Sequence, residues 1–210
     1  SSILESEIDT HLIHIGTMGV YGYSSSENSY IPEGYIDVDV KYDNGFKEPR
    51  NILYPFNPGS IYHLSKSLDN LIFQFYAKND HLKITDLHQG IVWGCQTPNT
   101  SMHDDLINRF DYDGDYGTVL NRFIIQASLN YPLTVHGSGG QTRALINLND
   151  TIKCLKLAMN NNHKNDSKVR IFNQLSETRR VKDIANIISL ISKTEVNNIK
   201  NPRNEAAENE

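Results

Sequence analysis

The chain has 210 residues, of which 21% are charged, with a formal net charge of −5 and an isoelectric point near 5.9. A mildly acidic chain disfavours a general role in binding nucleic acid or an anionic membrane surface, and this length suffices for one domain with a full core or for part of a larger protein. The sequence has two cysteines, no disulfide framework, no signal peptide and no apolar run of membrane-spanning length, a combination typical of a reducing compartment.

The spacing of apolar residues predicts strands that alternate with helices, the pattern of an α/β protein. A buried strand is expected at His11–Ile15, with Gly16 and Thr17 at its end. Ser60 is expected to begin a helix that continues to about Lys78 and carries apolar residues at helical spacing. Further strands are predicted within 83–94, 132–137, 144–148 and 169–173, and further helices at 118–130, 149–160 and 181–192.

Two polar stretches interrupt this pattern. Residues 23–57 are rich in Ser, Asn, Tyr, Asp and Pro, and alternation within 35–42 predicts a two-stranded ribbon that turns at Asp43–Gly45. Loops this long in compact domains are usually functional or disordered, and we interpret 23–57 as an insertion at the functional site. The tail from Asn197 is polar and is expected to be loosely attached.

Tyr62 and Lys66 are the first candidates for chemistry. They are four residues apart on the predicted helix, so their side chains share one face. An ammonium beside a phenol lowers the phenol pKa from about 10 toward neutrality, which would make Tyr62 a general base. This spacing arises often by chance, but Thr17 ends the preceding buried strand, where open α/β sheets bind ligands. The plain alternatives are a solvated helix face for Lys66 and simple strand termination for Thr17.

No metal site is predicted. Asp111, Asp113 and Asp115 have the spacing of the first ligands of an EF-hand calcium loop, but Tyr116 and Arg122 stand where that loop requires glycine and glutamate. The histidines form no metal-ligand motif, and those in strands are expected to be hydrogen-bonded core residues.

A glycine-rich turn over residues 137–140 is followed by Arg143, whose planar guanidinium could form two hydrogen bonds with a diphosphate. The turn by itself is equally compatible with a simple connection between strands. Arg122 and Arg203 are further candidates for anion binding. In an acidic chain, a few arginines favour a small anionic ligand over a polymer.

Blocks of residues along nearly the whole chain resemble the UDP-sulfoquinovose synthase family, a group of extended short-chain dehydrogenases/reductases. The Tyr-His-Leu-Ser-Lys and Asn-Arg-x-Asp-Tyr-Asp blocks are far narrower than the superfamily pattern. The blocks are Gly16–Gly19, Glu33–Tyr35, Tyr62–Lys66, Asp86–Gly90, Asn108–Asp113, Gly117–Phe123, Gly139–Arg143, Phe172–Gln174 and Asn201–Ala206.

The resemblance implies an α/β fold that is the C-terminal part of a Rossmann-type doubly wound parallel sheet plus a smaller α/β substrate-binding region. It places residues 1–95 in the remainder of the NAD-binding domain. It places residues 96–210 mostly in a UDP-binding region, with some elements that return to the main sheet.

The resemblance also implies an activity for sulfolipid synthesis, in which UDP-glucose and sulfite give UDP-sulfoquinovose through a 4-keto intermediate and bound NAD is recycled in each turnover. Thr17, Tyr62 and Lys66 would be catalytic, with Tyr62 and Lys66 also contacting NAD and Thr17 also contacting the sugar. By the same resemblance Gln89 would lie near the sugar or cofactor, and His63 would contact the sugar or sulfite. The UDP group would be held by Asn121, Arg122, Arg143 and Arg203.

The sequence departs from its relatives at two places. Val20 stands where plant members of the family have glutamate, so His63 or Glu33 would have to supply an acid/base for the later steps. Met18 and Gly19 replace the Asp-Glu pair of the sugar-nucleotide 4,6-dehydratases, which disfavours simple dehydration.

A glycine-rich dinucleotide-binding turn should precede this part of the fold, and the sequence does not contain one. We therefore expect the C-terminal part of a longer homodimeric enzyme that is inactive when isolated. It would lie in the cytoplasm, or in the plastid stroma of a photosynthetic eukaryote. The alternatives are another NAD-dependent UDP-sugar 4-epimerase or 4,6-dehydratase, and a non-catalytic nucleotide-sugar-binding relative.

Overall fold

The structure, a computed structural model, describes residues 2–6, 8–22, 31–112, 117–161 and 167–201. Strands and helices alternate through these ranges, which confirms the predicted α/β class. The strands are β1 (His11–Thr17), β2 (Tyr35–Lys41), β3 (Lys47–Leu53), β4 (Lys83–Gln89), β5 (Ile91–Trp93), β6 (Leu133–His136), β7 (Thr142–Asn147), β8 (Arg170–Gln174), β9 (Glu177–Arg180) and β10 (Val196–Ile199). The helices are α1 (Ser2–Glu5), α2 (Ile61–Asn79), α3 (Val119–Ser128), α4 (Leu148–Asn160) and α5 (Val181–Ser192).

The chain divides into two compact units, and the first contains the described residues of 1–22, 28–89 and 155–174. Its main sheet is parallel, with the strand order β1-β4-β8. Thr17 pairs with Gln89, and Gln89 pairs with Gln174, so the carboxyl ends of all three strands meet at one edge. β4 is the central strand and is buried along nearly its whole length, as is typical of parallel strands covered on both faces.

Helix α2 begins as the sequence predicts, because the Ser60 hydroxyl caps it by accepting a hydrogen bond from the His63 N–H at 3.1 Å. Its buried side chains are short or polar: Ser67, Asn70 and Ala77. The predicted apolar stripe instead lies on the exposed side, where the exposed fractions of side chains such as Ile61 and Phe75 are 82% and 59%. The spacing of apolar residues therefore predicted the helix but not the face that packs.

The ribbon predicted within the polar insertion is present as the antiparallel pair β2 and β3, whose ends Tyr35 and Leu53 face each other. The Tyr35 hydroxyl lies 2.9 Å from Gln74 Oε1 and 3.1 Å from the Val169 carbonyl oxygen. Tyr35 and Leu53 also pack against the core of the first unit, so the ribbon is an integral part of that unit.

The second unit contains the described residues of 90–154 and 175–201. It has two small sheets, one with the order β5-β7-β9 and one in which β10 pairs in parallel with β6. Neither β9 nor β10 was predicted from the sequence. The buried core of the unit consists of Phe123, Leu133, Val135, Leu145, Val181, Ile184 and Ala185.

The prediction of a loosely attached tail from Asn197 is wrong for residues 197–199, which belong to β10. The Leu133 N–H donates to the Glu195 carbonyl and the Gly137 N–H to the Ile199 carbonyl, each at 2.8 Å. These are backbone contacts, and the exposed side chains of this strand have no apolar alternation, so the strand has no signal in the sequence. None of the helices in the described ranges is both long and apolar enough to cross a membrane.

Candidate functional site

Thr17, Tyr62 and Lys66 all lie in the first unit. Thr17 ends β1, and its hydroxyl oxygen accepts the Gly19 N–H at 3.1 Å, which caps the short 3-10 turn Met18–Tyr21. A threonine hydroxyl has one donor and two acceptor positions. This cap uses one acceptor position, so the Thr17 O–H can still donate to a ligand.

Lys66 reaches the same end of β1 from the second turn of α2. Its Nζ donates to the Ile15 carbonyl at 3.1 Å and lies 3.3 Å from His14 Nε2. The backbone oxygen that holds Lys66 is therefore only two residues from Thr17. Strand β1 and helix α2 together bring Lys66 and Thr17 to one edge of the sheet.

Tyr62 occupies the first turn of α2 and is 56% exposed. Burial of part of its ring raises the pKa of Tyr62 above its ordinary value of 10.0. The expected lowering by Lys66 is not found in this chain. The physical reason is that the ammonium is directed at the Ile15 carbonyl and His14.

His63 lies beside the turn that follows Thr17. A Cβ added to Gly19 would overlap Nε2 of His63, so the imidazole packs directly on the Gly19 backbone. The Tyr62 and His63 rings are 5.5 Å apart between centroids. Glycine at this position therefore lets His63 approach the turn at the end of β1.

Gln89 ends β4, directly opposite Thr17 in the sheet. It is 7% exposed, and its side-chain amide donates to Gln174 Oε1 at 3.1 Å. The side chain is thus fixed at the edge of the sheet to which Thr17 also belongs.

A buried hydrogen-bond network that was not predicted from the sequence lies behind these residues. Asp86, 1% exposed, accepts from His14 Nδ1 through Oδ1 at 2.9 Å. Its Oδ2 accepts from the Asn70 amide at 2.7 Å and from His88 Nε2 at 3.0 Å. On the far side of His88, Nδ1 lies 2.8 Å from the Tyr21 hydroxyl, whose pKa is raised by burial. The strand histidines are hydrogen-bonded, as predicted, but Asp86, the common partner of His14 and His88, had no signal in the sequence beyond its place in a predicted strand.

Asp86 is held in its charged form by this network. Burial alone would raise the pKa of Asp86, but hydrogen bonds from His14 and His88 outweigh it and hold the pKa well below the ordinary value of 3.8. A pKa that is lower in the folded than in the unfolded state contributes stability above the ordinary carboxyl pKa, and this stability is lost as the pH falls below it.

We therefore expect Asp86→Asn to make the urea midpoint less dependent on pH between about pH 4 and pH 2 than in the unchanged chain. The amide cannot take up the proton whose binding destabilises the folded state. Asp105→Asn is the matched control, because Asp105 is 89% exposed. Equal pH dependence of the Asp86→Asn variant and the unchanged chain would contradict the assignment.

Gly16 is required by the same network. A Cβ at this position would overlap Asp86 Oδ1 and would lie 2.8 Å from His88 Cδ2, on two side chains that are buried and hydrogen-bonded. We expect Gly16→Ala to destabilise the fold by about 1–3 kcal/mol through overpacking, measured by urea unfolding. Gly45→Asn is the control, since open space surrounds Gly45 and asparagine tolerates its positive φ. Equal stability of the two variants would show that the network moves aside easily.

The residues expected to hold UDP lie in the second unit, except for Arg203, which is outside the described residues. The Asn121 amide donates to the Asp111 carbonyl at 2.9 Å. Arg122 donates to the Thr134 carbonyl at 3.1 Å, and its guanidinium lies over the Phe123 ring. The Arg143 side chain, on β7, donates to the Thr142 carbonyl at 3.1 Å. In the sheet, the backbone of Arg143 lies opposite that of Arg179 in β9. These contacts fix the three side chains within their own unit.

The two candidate replacements for the family glutamate differ in their surroundings. Val20 itself is 1% exposed and supplies only packing. Glu33 Oε1 accepts the Asn173 backbone N–H at 2.8 Å, so its carboxylate is held by β8. His63 lies beside Gly19. Among the described residues no group of three or more His, Cys, Asp or Glu side chains is arranged to hold a metal ion, and the Asp111–Asp115 run lies partly outside them.

Two sequence relatives are enzymes named UDP-sulfoquinovose synthase, and no family model matches the chain. The chain is 41% identical over 212 residues to the chloroplastic UDP-sulfoquinovose synthase of Spinacia oleracea, over 99% of this chain and 42% of the spinach protein. It is 37% identical over 213 residues to the UDP-sulfoquinovose synthase of Sulfolobus acidocaldarius, over 99% of this chain and 52% of that protein. The chain spans about half the length of these curated relatives.

Solved structures show the same fold. A UDP-glucuronic acid 4-epimerase from Bacillus cereus, in complex with UDP-glucuronic acid and NAD, superposes with a TM-score of 0.67 at 25% identity, over 97% of this chain and 54% of that one. A UDP-N-acetylglucosamine 4-epimerase from Methanobrevibacter ruminantium gives a TM-score of 0.69 at 19% identity, over 97% and 54% of the two chains. These likenesses establish a Rossmann-type epimerase/dehydratase fold. The chain is therefore a relative of the UDP-sulfoquinovose synthases, similar to part of two of them along 99% of its own residues.

Proposed function

We propose that the protein is an NAD-dependent UDP-sulfoquinovose synthase, which replaces the C6 hydroxyl of UDP-glucose by the sulfonate of sulfite through a 4-keto intermediate. The observation that carries this proposal is the identity of 37–41% to two enzymes of that name along 99% of the chain. The position of Thr17 at the carboxyl end of β1, with Lys66 bonded to the nearby Ile15 carbonyl, supports it, since open α/β sheets bind their ligands at this edge.

The residues at this edge suit a nicotinamide cofactor. An ammonium has three N–H donors, and Lys66 uses two for Ile15 and His14, so one donor is left for a ribose hydroxyl. When bound, NAD would accept a hydride from C4 of the sugar and later return it, which makes C4 a temporary ketone and the C5 proton acidic. Tyr62 and Lys66 would hold the cofactor, with Gln89 as a further contact at the end of β4.

The chain's own residues would then move protons and orient the sugar. Tyr62 would take the proton from the 4-hydroxyl as hydride leaves C4, and Thr17 would donate a hydrogen bond to the same hydroxyl oxygen. His63, beside Gly19, would contact the sugar or sulfite, and either His63 or Glu33 would take the C5 proton. Asn121, Arg122, Arg143 and Arg203 would bind the UDP group, with arginine forks on the diphosphate.

The test is to incubate the protein, produced in its complete natural form, with UDP-glucose, sulfite and NAD. Mass spectrometry should show a sulfonated sugar nucleotide that does not form when sulfite is omitted. A product that forms equally well without sulfite would favour the second candidate, a UDP-sugar 4-epimerase or 4,6-dehydratase, which the structural neighbours make reasonable. Nucleotide-sugar binding with no turnover under any of these conditions would indicate a non-catalytic relative.

We further propose that residues 1–95 mainly serve NAD binding and catalysis, and that residues 96–210 mainly serve UDP binding. We place the protein in the cytoplasm, or in the plastid stroma if its source is a photosynthetic eukaryote. The spinach relative is a chloroplastic enzyme, which supports the second location.

A second copy of the chain is proposed to cover the exposed apolar face of α2, since contiguous apolar patches mark interaction surfaces. This face consists of Ile61, Leu64, Leu68, Leu71, Ile72 and Phe75. We expect the natural protein to sediment as a dimer and the double variant Leu68→Lys, Leu71→Lys to sediment as a monomer. The control is Leu157→Lys on α4, where leucine is 66% exposed. A monomeric unchanged protein would contradict the proposal.

A further inference from the structure

We propose that His14 is a positioning residue for Lys66: a neutral imidazole whose Nε2 accepts a hydrogen bond from the lysine ammonium and thereby sets where that ammonium points. The catalytic role of His14 rests on the proposed function, whereas the contacts that His14 makes with Lys66 and Asp86 do not depend on it. Lys66 Nζ lies 3.3 Å from His14 Nε2, and His14 Nδ1 lies 2.9 Å from Asp86 Oδ1.

The protonation state of His14 follows from its two partners. The Asp86 carboxylate only accepts hydrogen bonds, so Nδ1 of His14 must carry a proton. An ammonium only donates, so Nε2 must be the acceptor toward Lys66. Only the neutral Nδ1–H tautomer satisfies both contacts. An imidazolium would instead place two positive charges 3.3 Å apart.

The charged groups around His14 come from two elements. From β4, Asp86 contacts Nδ1 and His88 shares its carboxylate. From α2, Lys66 contacts Nε2, and Asp69 Oδ2 lies 3.7 Å away from the same nitrogen. Asp69 is beyond hydrogen-bond distance and its side chain is 44% exposed, so solvent screens it.

The position of His14 is itself fixed by buried contacts. Its side chain is 17% exposed and its ring meets the Phe73 ring edge to face at 4.8 Å between centroids. Asp86 is held in turn by Asn70 and His88. Lys66 therefore has two rigid acceptors, His14 Nε2 and the Ile15 carbonyl, which direct its third N–H away from β1. In the proposed function, this third donor is the one available to the Tyr62 hydroxyl or the cofactor ribose.

The first test needs no activity. Nitrogen-15 NMR of the histidine rings in this chain should show His14 with a protonated Nδ1 and an unprotonated Nε2 at neutral pH. The Nε2 resonance should shift in Lys66→Met and stay unchanged in Lys78→Met, at the other end of α2. Two protonated nitrogens on His14 would overturn the inference. So would an Nε2 chemical shift that is the same in Lys66→Met as in the unchanged chain.

The second test separates positioning from a merely structural role. The amide nitrogen of asparagine occupies the place of Nδ1 and can keep the bond to Asp86, whereas the end group of glutamine occupies the place of Nε2 and can accept from Lys66. We expect His14→Asn to lower kcat about 100-fold with little change in KM, and His14→Gln to recover most of the loss. A structural role alone would give the reverse order. His11→Asn on the same strand, where His11 contacts Thr85, is the control and should keep full kcat.

These kinetic measurements use the complete natural protein, and kcat and KM are taken from the sulfonated sugar nucleotide formed over time, measured by mass spectrometry. A separate mixing with UDP-glucose in the absence of sulfite follows the reduced nicotinamide by its ultraviolet absorbance. Equal rates in His14→Asn and the unchanged protein would overturn the inference and leave the proposed function intact. If the unchanged protein reduces no nicotinamide, the proposed function fails, and the NMR result alone decides the role of His14.

Discussion

Tyr62→Phe should reduce the formation of the sulfonated sugar nucleotide by about 10²–10⁴-fold, the usual contribution of a general base. The substitution removes the hydroxyl that would accept the proton from the sugar, and little else. The side chain is 56% exposed, and its ring centroid lies 5.5 Å from that of His63, a ring contact that phenylalanine retains. We therefore expect unchanged stability and near-normal UDP-glucose binding, with the loss confined to kcat.

Tyr76→Phe is the matched control, because it removes a hydroxyl from the same helix on the side that packs against the core of the first unit. Turnover in this variant should be unchanged. Mass spectrometry of the product and isothermal titration with UDP-glucose measure the two quantities. If Tyr62→Phe kept full turnover, Tyr62 could not be the base. The proposed roles of Lys66 and His14 in supporting that base would then be wrong as well.

Tyr62 must lose its own proton before it can act as a base. In this chain burial raises the pKa of Tyr62, which disfavours that ionisation. Lys66 is held against β1 with one donor to spare. We infer that the downward shift of the phenol pKa arises only when substrate and cofactor complete the site. The catalytic pH profile of the full reaction should then show a group that ionises below about 10, which Tyr62→Phe removes.

Asp86→Ala should be among the most destabilising substitutions in the first unit, with a loss on the order of 3–5 kcal/mol. Asp86 is 1% exposed and accepts from three donors, on His14, Asn70 and His88. Removal of the carboxylate leaves these donors without their acceptor and opens a cavity between the main sheet and α2. Urea unfolding of the chain, followed by far-ultraviolet circular dichroism, measures the effect.

Asp9→Ala is the control for Asp86→Ala, because it also removes a paired aspartate. Asp9 is bonded to Lys83 at 2.6 Å, but its side chain is 81% exposed. Exposed ion pairs contribute about 0–1 kcal/mol, so this variant should unfold close to the unchanged chain. A similar midpoint for the two variants would mean that the buried network adds no more stability than an exposed pair.

Local sequence determined most of the elements. Ser60 caps α2, the alternation within 35–42 forms a ribbon, and the apolar run at His11–Ile15 forms a strand of the main sheet, because each signal concerns residues close together in the chain. The blocks around Thr17 and Tyr62 also indicate the family without any knowledge of the fold. Strand β10 was not predicted because backbone pairing to β6 holds it in place, and this pairing requires no particular pattern of side chains.

The tertiary structure alone decided how the candidate site is supported. His14 and Asp86 are 72 residues apart in sequence, and His14 and Lys66 are 52 apart, yet the β1–β4 register and the packing of α2 join all three. Helical spacing could not reveal that α2 turns Asn70 inward and its apolar stripe outward, since both faces repeat with the same period. Side-chain spacing along a chain fixes local conformation, whereas the partner of a buried charge is fixed only when distant strands come into register.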